Sequence, residues 1–303
     1  MVSNSSVNAA WKSYTPDLSV LLRSKPGLYQ GRSLDDRNPA TIEALMPLWQ
    51  WAYDHYFWVQ SDGWEKVPAG QVLIVGTHNG GIAAPDMHMA IYDWMRHFGP
   101  QRPVYGLMHR YIWDILPGFS QIATQVGALR AESRLALAAF QRGASVLVYP
   151  GGGQDVFRPH HQRNQICFAG RTGFIKLALR VGVPIVPLIS WGAHDTLFVF
   201  GNFYEEAKAF HQKLGLPWLV DNIDPEIFPI YFGLPWGLTI GPLPNLPWPH
   251  PMRLRMCEPI VFERTGRAAA TDAAYVQQCC DRVYQAMQSE LTQLAAEAES
   301  ATR

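Results

Sequence analysis

Short apolar runs that stop at glycine-rich corners constrain this chain more than any other feature of it. The run Gln71-Val72-Leu73-Ile74-Val75-Gly76 reads as a buried strand. It passes directly into His78-Asn79-Gly80-Gly81-Ile82-Ala83-Ala84-Pro85-Asp86. Pro85 suits the first turn of a helix, and that helix carries Met87, Ile91, Trp94 and Phe98 on one face before stopping at Gly99. Pro103 to Leu107, Ala144 to Tyr149 and Pro184 to Ser190 read as further strands. The last two end at Pro150-Gly151-Gly152-Gly153 and at Trp191-Gly192. Between them lie helical segments from Glu132 to Arg142 and from Gly173 to Val181, each followed by glycine. Residues 111–125 read as a short helix broken at Pro117-Gly118, and Gly127 to Arg130 as a turn. Strands alternating with helices at this spacing predict an α/β fold: a single domain with a central, mostly parallel sheet flanked by helices.

Around that core, residues 1–38 are polar and read as a weakly structured arm, with one domain over 39–303 and no linker inside it. The stretch 39–60 is helical in spacing, kinked at Pro47, and crowded with Trp49, Trp51, Tyr53, Tyr56, Phe57 and Trp58. It is either an interfacial helix or one packed on the domain. Residues 203–250 are rich in proline and aromatics, with Leu-Pro-Trp at 216–218, 234–236 and 246–248 at no fixed period. Met252 to Val261 reads as a late strand, and 271–298 as an amphipathic helix.

A formal net charge of zero argues against nucleic acid, whose binders carry a basic excess. Cys167, Cys257, Cys279 and Cys280 form neither a metal-type CxxC pair nor a secreted disulfide pattern, which points to a reducing compartment. No secretory leader and no run of eighteen apolar residues is visible, so contact with a membrane is expected to be peripheral. The 11 Trp suit a membrane–water boundary.

The corners gather the candidate chemistry. His78 stands at a strand end, and histidine titrates near neutral pH without perturbation, which suits a general base. Asp86, in the first turn of the next helix, is placed to orient it. Amides at Gly80 and Gly81 can meet a developing oxyanion. Arg130, Asp155, Arg158 and Arg171 stand beside the corners, with Gly151, Gly152 and Gly153, as candidate substrate contacts. Arg130 can equally pair with Glu132, and Arg171 can equally brace the 150–155 loop. No Gly-x-Ser-x-Gly elbow, Walker motif or Gly-x-Gly-x-x-Gly turn occurs. His88 and His160-His161 lack a zinc-type ligand set, so no metal is expected.

Tyr149-Pro150-Gly151-Gly152, then Gly170-Arg171-Thr172-Gly173-Phe174, then Val183-Pro184-Ile185-Val186-Pro187 and Trp191-Gly192-Ala193-His194-Asp195 form an ordered series. Over roughly 67–262 this resembles the glycerolipid acyltransferase superfamily, in the branch of type-2 diacylglycerol acyltransferases and related bacterial and plastid enzymes. The superfamily's first motif has Asp five positions after His; Ala83 stands there, and Asp86 comes eight positions on. Relatives that handle phosphate carry Glu and Arg at the proline-glycine corner; here the run is Pro150-Gly151-Gly152-Gly153-Gln154. Arg130, in Gly-Ala-Leu-Arg-Ala-Glu, matches the block before that corner. The resemblance implies a cytoplasmic-side, membrane-surface O-acyltransferase with no cofactor. Its donor is an acyl thioester, acyl-CoA or acyl carrier protein (acyl-ACP), and its acceptor a neutral lipid alcohol such as diacylglycerol, a prenol or a quinol. A lysophospholipid acyltransferase and an inactive lipid-binding protein remain the alternatives.

Overall fold

A computed structural model describes residues 29–109, 112–113, 117–215 and 226–301. The strands are β1 (Gln60–Asp62), β2 (Leu73–Gly76), β3 (Val104–Met108), β4 (Ala128–Arg130), β5 (Ser145–Val148), β6 (Ile185–Trp191), β7 (Phe198–Asn202), β8 (Pro229–Gly233), β9 (Gly237–Ile240) and β10 (Arg253–Met256). The helices are α1 (Pro39–Trp51), α2 (Pro85–Phe98), α3 (Pro117–Gln125), α4 (Ser133–Gln141), α5 (Gly152–Val156), α6 (Gly173–Val181), α7 (Tyr204–Leu214), α8 (Gly266–Thr271) and α9 (Ala273–Ala301).

Seven strands form the main sheet in the order β1-β10-β6-β2-β5-β3-β4. The five from β6 to β4 are mutually parallel, and β10 is antiparallel to β6. The mostly parallel α/β sheet is therefore as the sequence pattern requires. Its central strands are buried on both faces, because each face has its own helical cover. Leu73, Val75, Val146, Ile185 and Ile189 pack with α4, α6 and α9. Val72, Ile74, Leu147, Val186 and Leu188 pack with α1 and α2. Helix α2 begins with Pro85 at its first turn and ends at Gly99, whose φ of +72° costs little without a Cβ. Arg255 ties the edge to α9, donating to Asp62 at 2.8 Å and to Glu297 at 2.7 Å.

Two expectations change and one open choice narrows. The arm expected over 1–38 divides: 1–28 lies outside the described residues, while 29–38 is docked on the sheet. There Leu34 is buried in the core, its carbonyl accepts from Tyr105 Oη at 3.0 Å, and Asn38 N donates to Gln125 O at 2.8 Å. Gly127 to Arg130 carries strand β4, which the short run did not reveal. The aromatic stretch after Pro39 is mainly a packed helix: Ile42, Leu45, Met46, Trp49, Tyr53 and Phe57 are buried, while Leu48, Trp51 and Trp58 face outward.

A second sheet, β7-β8-β9, is antiparallel and was not expected. Its inner face, with Val199 and Tyr231, packs with Leu197, Val156, Phe157 and Ile227 beside the first sheet's carboxyl edge. The Leu-Pro-Trp at 216–218 falls outside the described residues.

Candidate active site

Strands β6, β2 and β5 lie side by side and parallel, so their glycine corners meet on one edge. His78 follows β2, and Tyr149 follows β5. The two rings stack with centroids 4.5 Å apart and planes 24° from parallel. Gly76 makes this possible: a Cβ there would come within 2.3 Å of the Tyr149 ring. His78 is part-buried, and its Nδ1 is sealed without a hydrogen-bond partner. Burial, with the Arg158 guanidinium nearby, pushes the imidazole down to about 3. In this state the ring is neutral near neutral pH, and a weaker base than the ordinary histidine that the sequence alone suggests. The Tyr149 hydroxyl is likewise buried, with no hydrogen-bond partner among the described residues. Burial holds it well above its ordinary value, and the charges of Asp86 and Asp155 add to the effect.

Beneath the histidine lies a closed polar network. Asp155 Oδ2 accepts from His78 N at 2.7 Å, and Oδ1 accepts from Arg158 Nη1 at 2.8 Å. Arg158 Nη1 also donates to His78 O at 2.9 Å, and Nη2 donates to Asn79 Oδ1. Nε donates to Gln162 O at 3.1 Å and Nη2 to Arg163 O at 2.7 Å, so every guanidinium nitrogen has an acceptor. Asn79 Nδ2 in turn donates to Asp86 Oδ2 at 2.9 Å. Burial raises Asp86 to about 7, against the bonds from Asn79 and the Met87 amide; burial raises Asp155 to about 6, against Arg158 and the His78 amide.

These contacts reassign several residues. Asp86 accepts from Asn79 and from Met87 N at 2.8 Å, not from the His78 ring, so it holds the loop rather than the imidazole tautomer. The eight-residue offset from His78 puts this carboxylate inside α2's first turn, bonded to that helix's own backbone. Asp155 and Arg158 are 2% and 3% exposed, which turns them from substrate contacts into supports of the His78 backbone. Arg130, at the end of β4, is three strands from β2, roughly 14 Å at strand spacing. Its Nε donates to Gln30 O at 2.8 Å, so it secures the docked 29–31 segment. Arg171 braces the corner: Nη1 donates to Pro150 O at 3.1 Å and Gly151 O at 2.7 Å, and Nη2 reaches Glu226 Oε2 at 3.3 Å.

The glycines have separate reasons. At Gly151 a Cβ would lie 2.0 Å from Cys167 O, so this position serves close packing rather than a ligand. Gly152 has φ +52° and lies against Arg171; Gly153 lies against Ile227. Gly80 and Gly81 have φ of +84° and +70°, and a Cβ on Gly81 would strike Asn245 Oδ1 at 2.5 Å. Asn245 itself fastens this loop, donating to Gly80 O at 3.0 Å and accepting from Ala83 N at 3.2 Å. The amides of Gly80 and Gly81 make no hydrogen bond among the described residues.

Sequence reasoning did not find Tyr149 as a ring partner, although it stands immediately before the proline-glycine corner. Asn79 sat unremarked inside the histidine motif. Asn245 and Glu226 carry no local signal, since each reaches the site from a distant segment.

The structure thus brings together, at the carboxyl end of a parallel strand, a histidine held by its own backbone and two glycine amides that make no hydrogen bond among the described residues. The sequence profile of the diacylglycerol acyltransferase family matches residues 42–296, and the chain belongs to that family. An uncharacterised protein of Mycobacterium tuberculosis (strain H37Rv) is 25% identical over 92% of this chain and 76% of its own length. Diacylglycerol O-acyltransferase 1 of Schizosaccharomyces pombe is 25% identical over 46% of this chain and 38% of its own. Mouse 2-acylglycerol O-acyltransferase 1 is 24% identical over 49% and 46%. The crystal structure of the 1-acyl-sn-glycerophosphate acyltransferase PlsC from Thermotoga maritima aligns over 97% of this chain and 98% of that one, at 14% identity and a TM-score of 0.46.

Proposed function

We infer that this acyltransferase moves a fatty acyl group from an acyl thioester, acyl-CoA or acyl carrier protein, to the hydroxyl of a neutral lipid alcohol. The reaction takes place at the cytoplasmic surface of a membrane. The observation that carries the reading is His78: part-exposed at a strand end, stacked on Tyr149 and gripped through its own amide and carbonyl. The acceptor hydroxyl gives its proton to the ring nitrogen that is not sealed. Its oxygen bonds to the thioester carbonyl carbon while the Gly80 and Gly81 amides face the carbonyl oxygen. The C–S bond then breaks, and the thiolate recovers the proton.

The arginines favour an uncharged acceptor. A phosphate dianion away from water needs paired guanidinium or ammonium donors. Arg158 is sealed, Arg130 is bound to the 29–31 segment, and Arg171 is matched by Glu226, which also lies 3.7 Å from His109. Gln154, exposed at the corner, has no charge to offer.

The test is competition: labelled acyl-CoA with equal diacylglycerol and lysophosphatidate. Label in triacylglycerol is expected, and label mainly in phosphatidate overturns the neutral-acceptor reading. Glu226→Gln frees the Arg171 charge and shifts the ratio toward the phosphorylated acceptor.

A further inference from the structure

The outer face of the second sheet is an exposed apolar surface that the site leaves unused. Strand alternation sends Val199, Tyr231 and Thr239 inward and Phe198, Phe200, Phe232, Leu238 and Ile240 outward. On a sheet between solvent and core the outward residues are ordinarily polar. Here they form apolar rows across the strands: Phe198 pairs with Phe232, Phe232 with Leu238, and Ile230 with Ile240. Their exposures run from 40% at Phe198 to 66% at Leu238. Trp236, at the β8–β9 turn, is 61% exposed.

Charge and hydrogen bonding identify what covers this face. From Ile227 to Met252, and from Leu197 to Phe203, the chain carries no Asp, Glu, Lys or Arg. Two polar side-chain atoms beside the face are bonded from within: Trp236 Nε1 donates to Pro244 O at 2.7 Å, and Tyr231 Oη to Leu243 O at 2.9 Å. The side chains of such a face can enter an apolar phase without stripping water from a charge. It also offers no basic residue to an anionic headgroup, so the fit is to an uncharged lipid surface. The face is continuous with the site. Leu246 bridges to Leu234, the residue that follows β8, and Asn245 beside it grips Gly80 and Ala83 in the histidine loop. Next along the chain, the Pro247 carbonyl accepts from Tyr56 Oη at 2.8 Å, which brings the exposed Trp51 alongside.

We propose that the outer face of β7-β8-β9 seats this protein on an uncharged lipid surface, setting the histidine loop at the boundary where a lipid alcohol presents its hydroxyl. The proposal rests on the lipid-acceptor reading above. Its test uses no acyl donor, so failure of the catalytic reading leaves it standing.

The full chain is floated with vesicles of phosphatidylcholine and diacylglycerol, at low and at high salt. Binding that does not weaken with salt is expected. The variant Phe200→Glu/Leu238→Glu/Ile240→Glu, checked by circular dichroism and thermal midpoint, is expected to remain folded with its partition coefficient lowered by about a hundredfold or more. Leu48→Glu/Trp51→Glu, on the neighbouring helix, is expected to cost less. A folded triple variant that floats like the parent overturns the proposal, as does release of the parent by salt. Light scattering on the lipid-free protein closes the remaining route: a parent that ignores vesicles but forms a dimer, dissociated by the triple variant, assigns the face to a second copy of the chain instead.

Discussion

In the main sheet, Leu73, Val75, Val146, Ile185 and Ile189 on one face and Val72, Ile74, Leu147, Val186 and Leu188 on the other are all covered by helices. In the second sheet the inner face is covered and the outer face, with Phe200, Phe232, Leu238 and Ile240, is bare. Charge divides the regions in the opposite sense. The edge of the main sheet buries Asp86, Asp155 and Arg158, whereas the second sheet has no charged residue in its strands. A buried charge demands fixed partners, so the histidine loop has one geometry, built from about ten directed bonds. An apolar face demands only area, so it fits any surface of matching polarity. Directed bonds thus fix the polar corner, whereas the outer face of the second sheet is defined by its apolar area alone.

Substitutions at the corner should separate the two regions most sharply. His78→Ala is expected to lower turnover by about two to four orders of magnitude while the fold persists, the usual range for a lost general base. Steady-state rates beside a circular dichroism spectrum decide it, and a folded variant of near-parental activity removes the mechanism. Arg158→Met should act through stability. It strands the buried Asp155 carboxylate, and loss of one partner in such a pair costs about 3–5 kcal/mol. Arg158→Lys should not rescue it, because an ammonium cannot reach the carbonyls of His78, Gln162 and Arg163 together. Chemical denaturation measures both variants.

Tyr149→Ala should lower turnover by about a hundredfold, as misplacement of the His78 ring predicts. Tyr149→Phe keeps the stack, and equal losses in the two variants would mean that the hydroxyl, not the ring, matters. A pH series on stability gives a smaller effect with a definite sign. Burial pushes His88 down to about 4, so as pH falls below the ordinary histidine value the unfolded chain takes up a proton that the native chain refuses. The stability due to His88 is therefore present above about 6.5 and lost as pH falls toward 4. His88→Gln should gain on the parent across that window by a slope of about one proton. The carboxyls of Asp86 and Asp155 titrate in the opposite sense but are common to both chains. Leu238→Glu should move stability least, within about 0.5 kcal/mol, because the parent side chain is already in water. A large loss there would mean that the outer face has a structural partner within the chain.

Legibility in the sequence followed locality. Helix Pro85–Phe98 and helix Gly173–Val181 were readable to the residue, since proline at the start, glycine at the end and the apolar spacing between all act within one element. Strand β4 was not, because three residues carry no period. The second sheet was hidden by its prolines and by outward residues as apolar as the inward ones, which erase the alternation that marks a strand.

At the site, sequence alone determined that a histidine would stand at a strand end among glycines. Strand, turn and helix signals are set by neighbouring residues, and the order of motifs carried the family. Only the tertiary structure decided what surrounds that histidine. Whether Arg158 meets a ligand or the His78 carbonyl depends on how β5's loop folds under β2's, and the same holds for Asp86 and Asn79. Glu226 and Asn245 arrive from segments that no spacing connects to the loop. A side chain's type is fixed by the sequence, but its partners are fixed by packing. A buried charge takes the nearest acceptors that packing supplies, however far off they lie along the chain.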